Sequence, residues 1–174
     1  MVIRIAEAVD AEQIAAIYAP FVMDSYTSFE TVAPDGAEMQ RRIRELTRTH
    51  PWLVCVRGDE VLGYAYASTH RARAAYQWCV ETTVYITAGN RRSGIGRRLY
   101  EALFAVLELQ GFQMAYAGVT LPNEGSVGLH EALGFTPVGV YRAAGFKLGQ
   151  WHDVASFQRA LWCSPDHPDV THPR

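Results

Sequence analysis

Lysine is almost missing from this chain. Of sixteen basic residues only Lys147 is lysine, and Lys+Arg 16 falls short of Asp+Glu 18, leaving a net charge of −2. That balance lacks the basic excess on which non-specific nucleic-acid binding draws, so no nucleic-acid partner is expected. Cysteine is scarce too. Cys55, Cys79 and Cys163 make an odd number without C-x-x-C spacing, which argues against a disulfide framework or a zinc site and fits a reducing compartment. No apolar run approaches the ~18 residues of a membrane span. The opening Met1-Val2-Ile3-Arg4-Ile5 lacks the long apolar stretch of a signal peptide. Together these absences predict a cytoplasmic protein with no membrane contact and no metal. His167 and His172, near the end, are too few for a metal site.

What is present reads as one globular unit. At ~150 residues per domain, 174 residues make about one domain, and 49% hydrophobic content suffices for a core. There is no internal repeat and no linker. The expected domain spans 1–163, followed by a frayed tail over 164–174 that carries three prolines. Val2–Ala6 alternates and is β-branched, which predicts a strand. Asp10, with Gln13 three residues on, predicts a helix N-terminus before Ile14, Ile17, Tyr18 and Phe21, with Pro20 bending or shortening the helix. Tyr26–Val32 reads as a loop and Ala37–Thr49 as a helix with a charged, solvated face. Trp52–Arg57 and Val61–Ser68 flank a Gly58-Asp59 turn and predict a hairpin. Tyr76–Thr87 reads as a long strand, Ile95 to near Gly111 as an amphipathic helix, Met114–Leu121 as a strand and Ser126–Leu133 as a short helix. Phe135–Tyr141 and Val154–Leu161 read as the last strands. The order is mixed α/β: a strand meander, then strand–helix–strand–helix–strand.

The most informative segment joins the long strand to the amphipathic helix: Arg91-Arg92-Ser93-Gly94-Ile95-Gly96. Glycines 94 and 96 allow close backbone approach, and the free amides of the helix start make an anion site beside two arginines. This predicts phosphate or pyrophosphate binding. No Gly-Lys-Ser/Thr follows, so it is not a Walker loop. A plain helix-entry loop has the same look.

Arg91-x-x-Gly94-x-Gly96 after a strand resembles the acyl-CoA pyrophosphate loop of GNAT acetyltransferases. Asn123-x-x-Ser126-x-x-x-His130-Glu131-Ala132-Leu133-Gly134-Phe135 resembles a second motif of that superfamily. Trp78-x-x-Glu81-x-Thr83-Val84-Tyr85, Arg71-Ala72-Arg73-x-x-Tyr76, Tyr26-Thr27-Ser28-Phe29, Arg142-Ala143-Ala144-Gly145-Phe146-Lys147 and Trp151-His152-Asp153-Val154 are similar to phosphinothricin N-acetyltransferases. The likeness runs from about Ile3 to Leu161.

The resemblance implies a GNAT fold, a mixed central sheet flanked by helices, with acetyl-CoA in a cleft between two splayed parallel strands, Thr82–Thr87 and Ala115–Leu121. Val84 and Ile86 would pair with the pantetheine arm, and the amides of Arg92, Ser93, Gly94, Ile95, Gly96 and Arg97, with Arg91 nearby, would hold the pyrophosphate. Asn123 and Ser126 would face the pantetheine, although Asn123 serves equally well as a helix N-cap. The reaction implied is attack of an amine on the thioester in a ternary complex, and the amine must first lose a proton. Glu81 is the leading general base, with burial expected to help it, and His130 the second acid/base candidate; their roles stay unapportioned. A backbone N–H near Val84 or Tyr85 would hold the oxyanion. Arg71 and Arg73 would bind an acidic acceptor bidentately, with Phe29, Tyr76 and Thr83 around it. The acceptor implied is the α-amino group of a phosphinothricin, methionine sulfoximine or methionine sulfone type of compound. Other amines (a peptide N-terminus, a polyamine) and a non-catalytic CoA sensor are the rival readings. A Cys79–His130 nucleophile pair is a distant one. A homodimer is implied by the resemblance alone.

Overall fold

The computed structural model describes residues 1–161. Cys163, His167, His172 and the whole of 164–174 lie outside the described residues. In chain order the elements are β1 (Val2–Ile5), α1 (Ala11–Met23), α2 (Gly36–Leu46), β2 (Trp52–Arg57), β3 (Glu60–Thr69), β4 (Cys79–Ile86), α3 (Ile95–Leu109), β5 (Met114–Thr120), α4 (Glu124–Ala132), β6 (Thr136–Lys147) and β7 (Gln150–Ala160). One seven-stranded sheet has the order β1-β2-β3-β4-β5-β7-β6. Every neighbouring pair is antiparallel except β4 and β5.

Alternation along the strands sends side chains to two cores. Leu62, Val80, Ala115, Ala117 and Phe157 meet Leu99, Leu103 and Leu107 of α3. Trp52, Val54 and Tyr64 meet Ile14, Tyr18 and Val22 of α1 and Met39 and Ile43 of α2 on the opposite face. Burying a large side chain of this kind contributes roughly 1.5–3 kcal/mol, which is why the two helical layers hold to the sheet.

Three local expectations need correction. Asp10 does not cap α1 with its side chain. Its buried carboxylate instead takes a two-pronged ion pair from Arg4 (2.7 and 2.8 Å) and accepts from the Glu7 amide. Gln13 reaches away to the β2–β3 turn, donating to the Asp59 carbonyl and accepting from the Val61 amide. Pro20 lies in the last turn of α1, which ends at Met23. The strand expected from Tyr76 begins only at Cys79, because Ala74–Tyr76 form a 3-10 turn. The last two strands are longer than expected and form one hairpin turning at Leu148-Gly149. Arg142–Gly145, poor in strand-forming residues, contains a bulge: Ala143 has φ 47°, and its amide donates to Asp153 (2.8 Å). The α2 arginines act as a solvated face: Arg41 and Arg42 pair with Glu38, Glu45 and Glu30.

Candidate active site

β4 and β5 pair only at Cys79–Met114, Val80–Ala115 and Glu81–Tyr116. One further tie, the Thr82 hydroxyl donating to the Tyr116 carbonyl (3.0 Å), closes the paired stretch. Beyond it the strands part, and the β5-facing backbone of Thr83–Ile86 has no strand partner among the described residues. Unpaired backbone groups of this kind want a ligand or water. The opening is a slot of about 100 Å³ lined by Thr82, Thr83, Val84, Gly118, Val119 and His130, among others. It leads to a cleft of about 770 Å³ lined by Val84, Tyr85, Ile86, Arg91, Arg92, Gly94, Ile95, Gly96, Arg97, Asn123, Ser126 and the end of α1. Eleven of the residues expected at the cofactor site are therefore brought together. Ser93 lies just outside the lining, its hydroxyl donating to the Asn90 carbonyl (2.6 Å).

The loop before α3 has the form of an anion cradle. Gly94 holds φ 82°, which a side chain rarely adopts, and turns the chain into the helix. The Arg98 amide makes the first helical bond, to the Gly94 carbonyl, so the amides of Ile95, Gly96 and Arg97 have no intrahelical partner. Gly96 serves packing as well, since a Cβ there would stand 3.3 Å from the Leu129 side chain. The arginines divide. Arg91 lies over the Phe21 ring (5.3 Å), Arg97 pairs with Glu101, and Arg92 is exposed. Asn123 caps α4, accepting from the Ser126 amide (3.1 Å), while also lining the cleft. The helix-cap reading of Asn123 therefore holds, at a position that also borders the cleft.

Glu81 stands at the last paired position of β4, on the face shared with Thr83 and Tyr85. Its Oε1 lies 3.9 Å from where a Gly118 side chain would begin, across the mouth of the slot. Its Oε2 bonds to His70 Nδ1 at 2.8 Å. The expected burial is absent: the Glu81 side chain is 37% exposed. His70 itself stacks on Tyr116 (4.1 Å between centroids) and meets the edge of Tyr76 (6.0 Å). Sequence reasoning missed His70. It follows β3 in a polar stretch, eleven residues from its partner, with no periodicity to mark it.

His130 approaches the slot from the opposite face and is only 3% exposed. Its ring stacks on Phe157 and meets Phe135 and Tyr100 edge-on. Nδ1 donates to the Ser126 carbonyl (2.7 Å), and Nε2 lies 3.2 Å from the Tyr100 hydroxyl. Burial pushes the His130 pKa down, against the Ser126 contact, so the neutral ring is favoured at pH 7. Burial likewise pushes the Cys79 thiol and the Tyr100 hydroxyl up. Cys79 shares the Glu81 face of β4, so the sheet separates it from His130.

The remaining expected residues fall in three places, the loop before β4, β4 itself and the β6–β7 hairpin. Arg71 lies over Tyr76 (5.3 Å), and Arg73 is exposed with no side-chain partner among the described residues. Thr83 is the β4 partner of Tyr66 in the β3–β4 ladder. Phe29 packs on Gly145, where even a Cβ would meet its ring at 2.4 Å. Its loop is seated on the β6–β7 hairpin. Lys147 Nζ donates to the Ser28 carbonyl (2.6 Å), Tyr26 stacks on His152 (4.4 Å), and the Tyr26 hydroxyl donates to the Pro122 carbonyl (3.0 Å). His152 is thus a buried support, whereas Trp151 is 64% exposed. Among the described residues there is no cluster of metal-binding side chains, and no helix is long and apolar enough to cross a membrane.

Comparison with known proteins agrees with this geometry. The acetyltransferase (GNAT) domain family matches residues 3–155. A phosphinothricin N-acetyltransferase of Streptomyces viridochromogenes is 42% identical over 90% of this chain and 86% of its own length. An L-methionine sulfoximine/L-methionine sulfone acetyltransferase of Salmonella typhimurium is 30% identical over 92% and 95%. The crystal structure of a Sinorhizobium meliloti phosphinothricin acetyltransferase in complex with acetyl-CoA superposes with a TM-score of 0.89 at 34% identity, covering 99% of this chain and 98% of that one. With a matched domain spanning most of its length and a slot where β4 and β5 part, this chain belongs to the GNAT acetyltransferase family, as an acetyl-CoA-dependent N-acetyltransferase.

Proposed function

We propose that the chain acetylates the α-amino group of a small acidic amino-acid analogue of the phosphinothricin, methionine sulfoximine or methionine sulfone type. The observation that carries this is the placement of Glu81 at the slot mouth beside a loop bearing Arg71 and Arg73. Guanidinium groups match an acceptor's carboxylate or phosphinate and oppose a polycation. The names of the relatives point to the same acceptors.

The residues divide the work as follows. The Ile95–Arg97 amides, Gly94 and the Arg91–Arg92 pair hold a pyrophosphate, and the unpaired backbone of Val84 and Ile86, with Asn123 and Ser126, lines the path of a pantetheine arm. Acetyl-CoA, when bound, supplies the thioester whose carbonyl the amine attacks. A backbone N–H at Val84 or Tyr85 steadies the charge that grows on that carbonyl oxygen. Glu81 takes the proton from the acceptor ammonium, a role that contributes roughly 10²–10⁴-fold when the base is well placed. Phe29, Tyr76 and Thr83 wall the acceptor. His130, with both ring nitrogens engaged, is the secondary acid/base group and acts only where its contact with Tyr100 opens.

Thiol release from acetyl-CoA tests this, with phosphinothricin, methionine sulfoximine, methionine sulfone, a polyamine and a short peptide offered to the wild type and to Glu81→Gln. Fast release with the first three and a loss of ~10²-fold or more in Glu81→Gln is expected. Preference for the polyamine or peptide sinks the acceptor assignment. Tight CoA binding with no release from any amine turns the reading to a CoA sensor. A homodimer forms part of the same proposal, supported by the apolar groups that edge strand β6 and its hairpin leave exposed, among them Tyr141, Phe146, Leu148 and Trp151. A monomer in light scattering would remove it.

A further inference from the structure

Glu81 is a base only if one oxygen faces the acceptor, and an exposed carboxylate has no reason to stay in one rotamer. The structure supplies one. His70 Nδ1 lies 2.8 Å from Oε2, leaving Oε1 across from Gly118 at the slot mouth. An ionised carboxylate only accepts, so Nδ1 carries the hydrogen. The His70 ring is itself held face-on by Tyr116 and edge-on by Tyr76, and Arg71 in turn lies over Tyr76. Tyr116 is the β5 partner of Glu81 in the final rung of the paired stretch. The ring that orients the base is therefore seated on the residue that marks where the strands part.

We propose that His70 is the positioning residue of the candidate base: it donates Nδ1–H to Glu81 Oε2 and so presents Oε1 to the acceptor amine. This rests on the reading of Glu81 given above. The proton of the acceptor ammonium goes to Oε1, the amine lone pair forms the new bond to the acetyl carbon, the thioester C–S bond breaks with its electron pair leaving on the CoA sulfur, that thiolate takes up the second proton lost by the nitrogen, and the Nδ1–H···Oε2 bond persists through the step. Two features separate His70 from a packing residue. Its hydrogen bond goes to one oxygen of the base rather than to backbone, and its stacking partner lies on the other strand of the slot.

The test uses two substitutions that split the ring's roles. His70→Phe keeps a ring on Tyr116 but removes the donor, and His70→Asn keeps a donor near the Nδ1 position but removes the ring. Each is made in the wild type and in Glu81→Gln, with steady-state thiol release from acetyl-CoA as the readout and thermal unfolding as the check on folding. The expected result is a kcat about ten-fold lower in His70→Phe with the KM for acetyl-CoA unchanged, since a 1 Å misplacement of a reacting group costs up to ~10²-fold. His70→Asn should recover several-fold over His70→Phe. In the Glu81→Gln background both changes should alter kcat by less than about two-fold, because the oriented base is gone. An unchanged kcat in His70→Phe overturns the proposal, as does an equal loss in both backgrounds. Wild-type activity in Glu81→Gln overturns the assignment of Glu81 first, and the role of His70 with it.

Discussion

The chain's single lysine is placed where its loss can be measured in two independent ways. Lys147 is buried, and Nζ donates to the Ser28 carbonyl at 2.6 Å, one residue before Phe29. Replacing it by Met keeps an unbranched stem of similar length, so little cavity is left. What is removed is a charge-assisted hydrogen bond, worth roughly 1.5–3 kcal/mol, and a carbonyl loses its donor. The opposing effect is relief from burying a cation: burial pushes the Lys147 pKa down, more than Glu30 restores it. The hydrogen bond wins, but at the low end, giving a destabilisation of about 1–2 kcal/mol. For a chain of this size that lowers Tm by about 2–8 °C. The Ser28 contact also sets where Phe29 stands against Gly145. Letting that loop drift by a fraction of its ordering energy raises the acceptor KM about ten-fold, equivalent to about 1.4 kcal/mol. The KM for acetyl-CoA should not change, because Lys147 does not line the 770 Å³ cleft. Thermal unfolding and steady-state kinetics with both substrates varied give all three numbers. A lower Tm with an unchanged acceptor KM would show that the Tyr26–Phe29 loop does not shape the acceptor site. An unchanged Tm would show that burial of the cation cancels its hydrogen bond.

Two further perturbations separate roles that the geometry places side by side. Gly94→Ala should lower stability by about 1–2 kcal/mol through its φ of 82°, whereas Gly96→Ala, in a helical turn against a pliable Leu129 end, should leave Tm nearly unchanged and raise the KM for acetyl-CoA. Parallel melting curves and kinetics decide it, and a Gly96→Ala enzyme with normal KM would argue against a ligand close to that backbone. His130→Gln tests burial of the neutral imidazole. With a folded pKa below the ordinary 6.5, the native state binds fewer protons than the unfolded one between the two values. Its contribution is therefore full above pH 6.5 and is lost as pH falls through that window. Urea midpoints from pH 5 to 8 should show a flatter acid limb in His130→Gln than in the wild type, and parallel curves would refute it.

How much of this is readable in the sequence depends on the distance over which each feature is built. The anion loop is contiguous. Strand, turn, Gly94 and helix start follow one another, so residue type and order reveal it. The hairpin at Gly58-Asp59 and the amphipathic α3 are local for the same reason, and both appear where the pattern puts them. Asp10 misleads because a capping signature describes one helix end, while the carboxylate answers to Arg4 on a different element. The β6–β7 hairpin is under-read because its middle, Arg142–Gly145, has weak strand propensity and is held by Asp153 from the neighbouring strand. Tertiary pairing outweighs local preference there.

The same distinction runs through the active site and explains why its two halves differ in legibility. The proposed cofactor side is assembled from consecutive segments, the β4 end, the loop and α3, with Asn123 and Ser126 from the start of α4. The proposed acceptor side draws on pieces that are far apart: Phe29 against Gly145, Ser28 on Lys147, Tyr26 on His152 and Pro122, His70 on Tyr116. Each is an aromatic or single polar contact that ordinary core packing also produces, so none carries a signature in one sequence. Glu81 belongs to both halves. It ends the paired stretch that opens the slot, and as the proposed base it would meet the acceptor. A substitution in the β6–β7 hairpin can therefore alter acceptor choice through Phe29 while leaving the slot and the anion loop as they are.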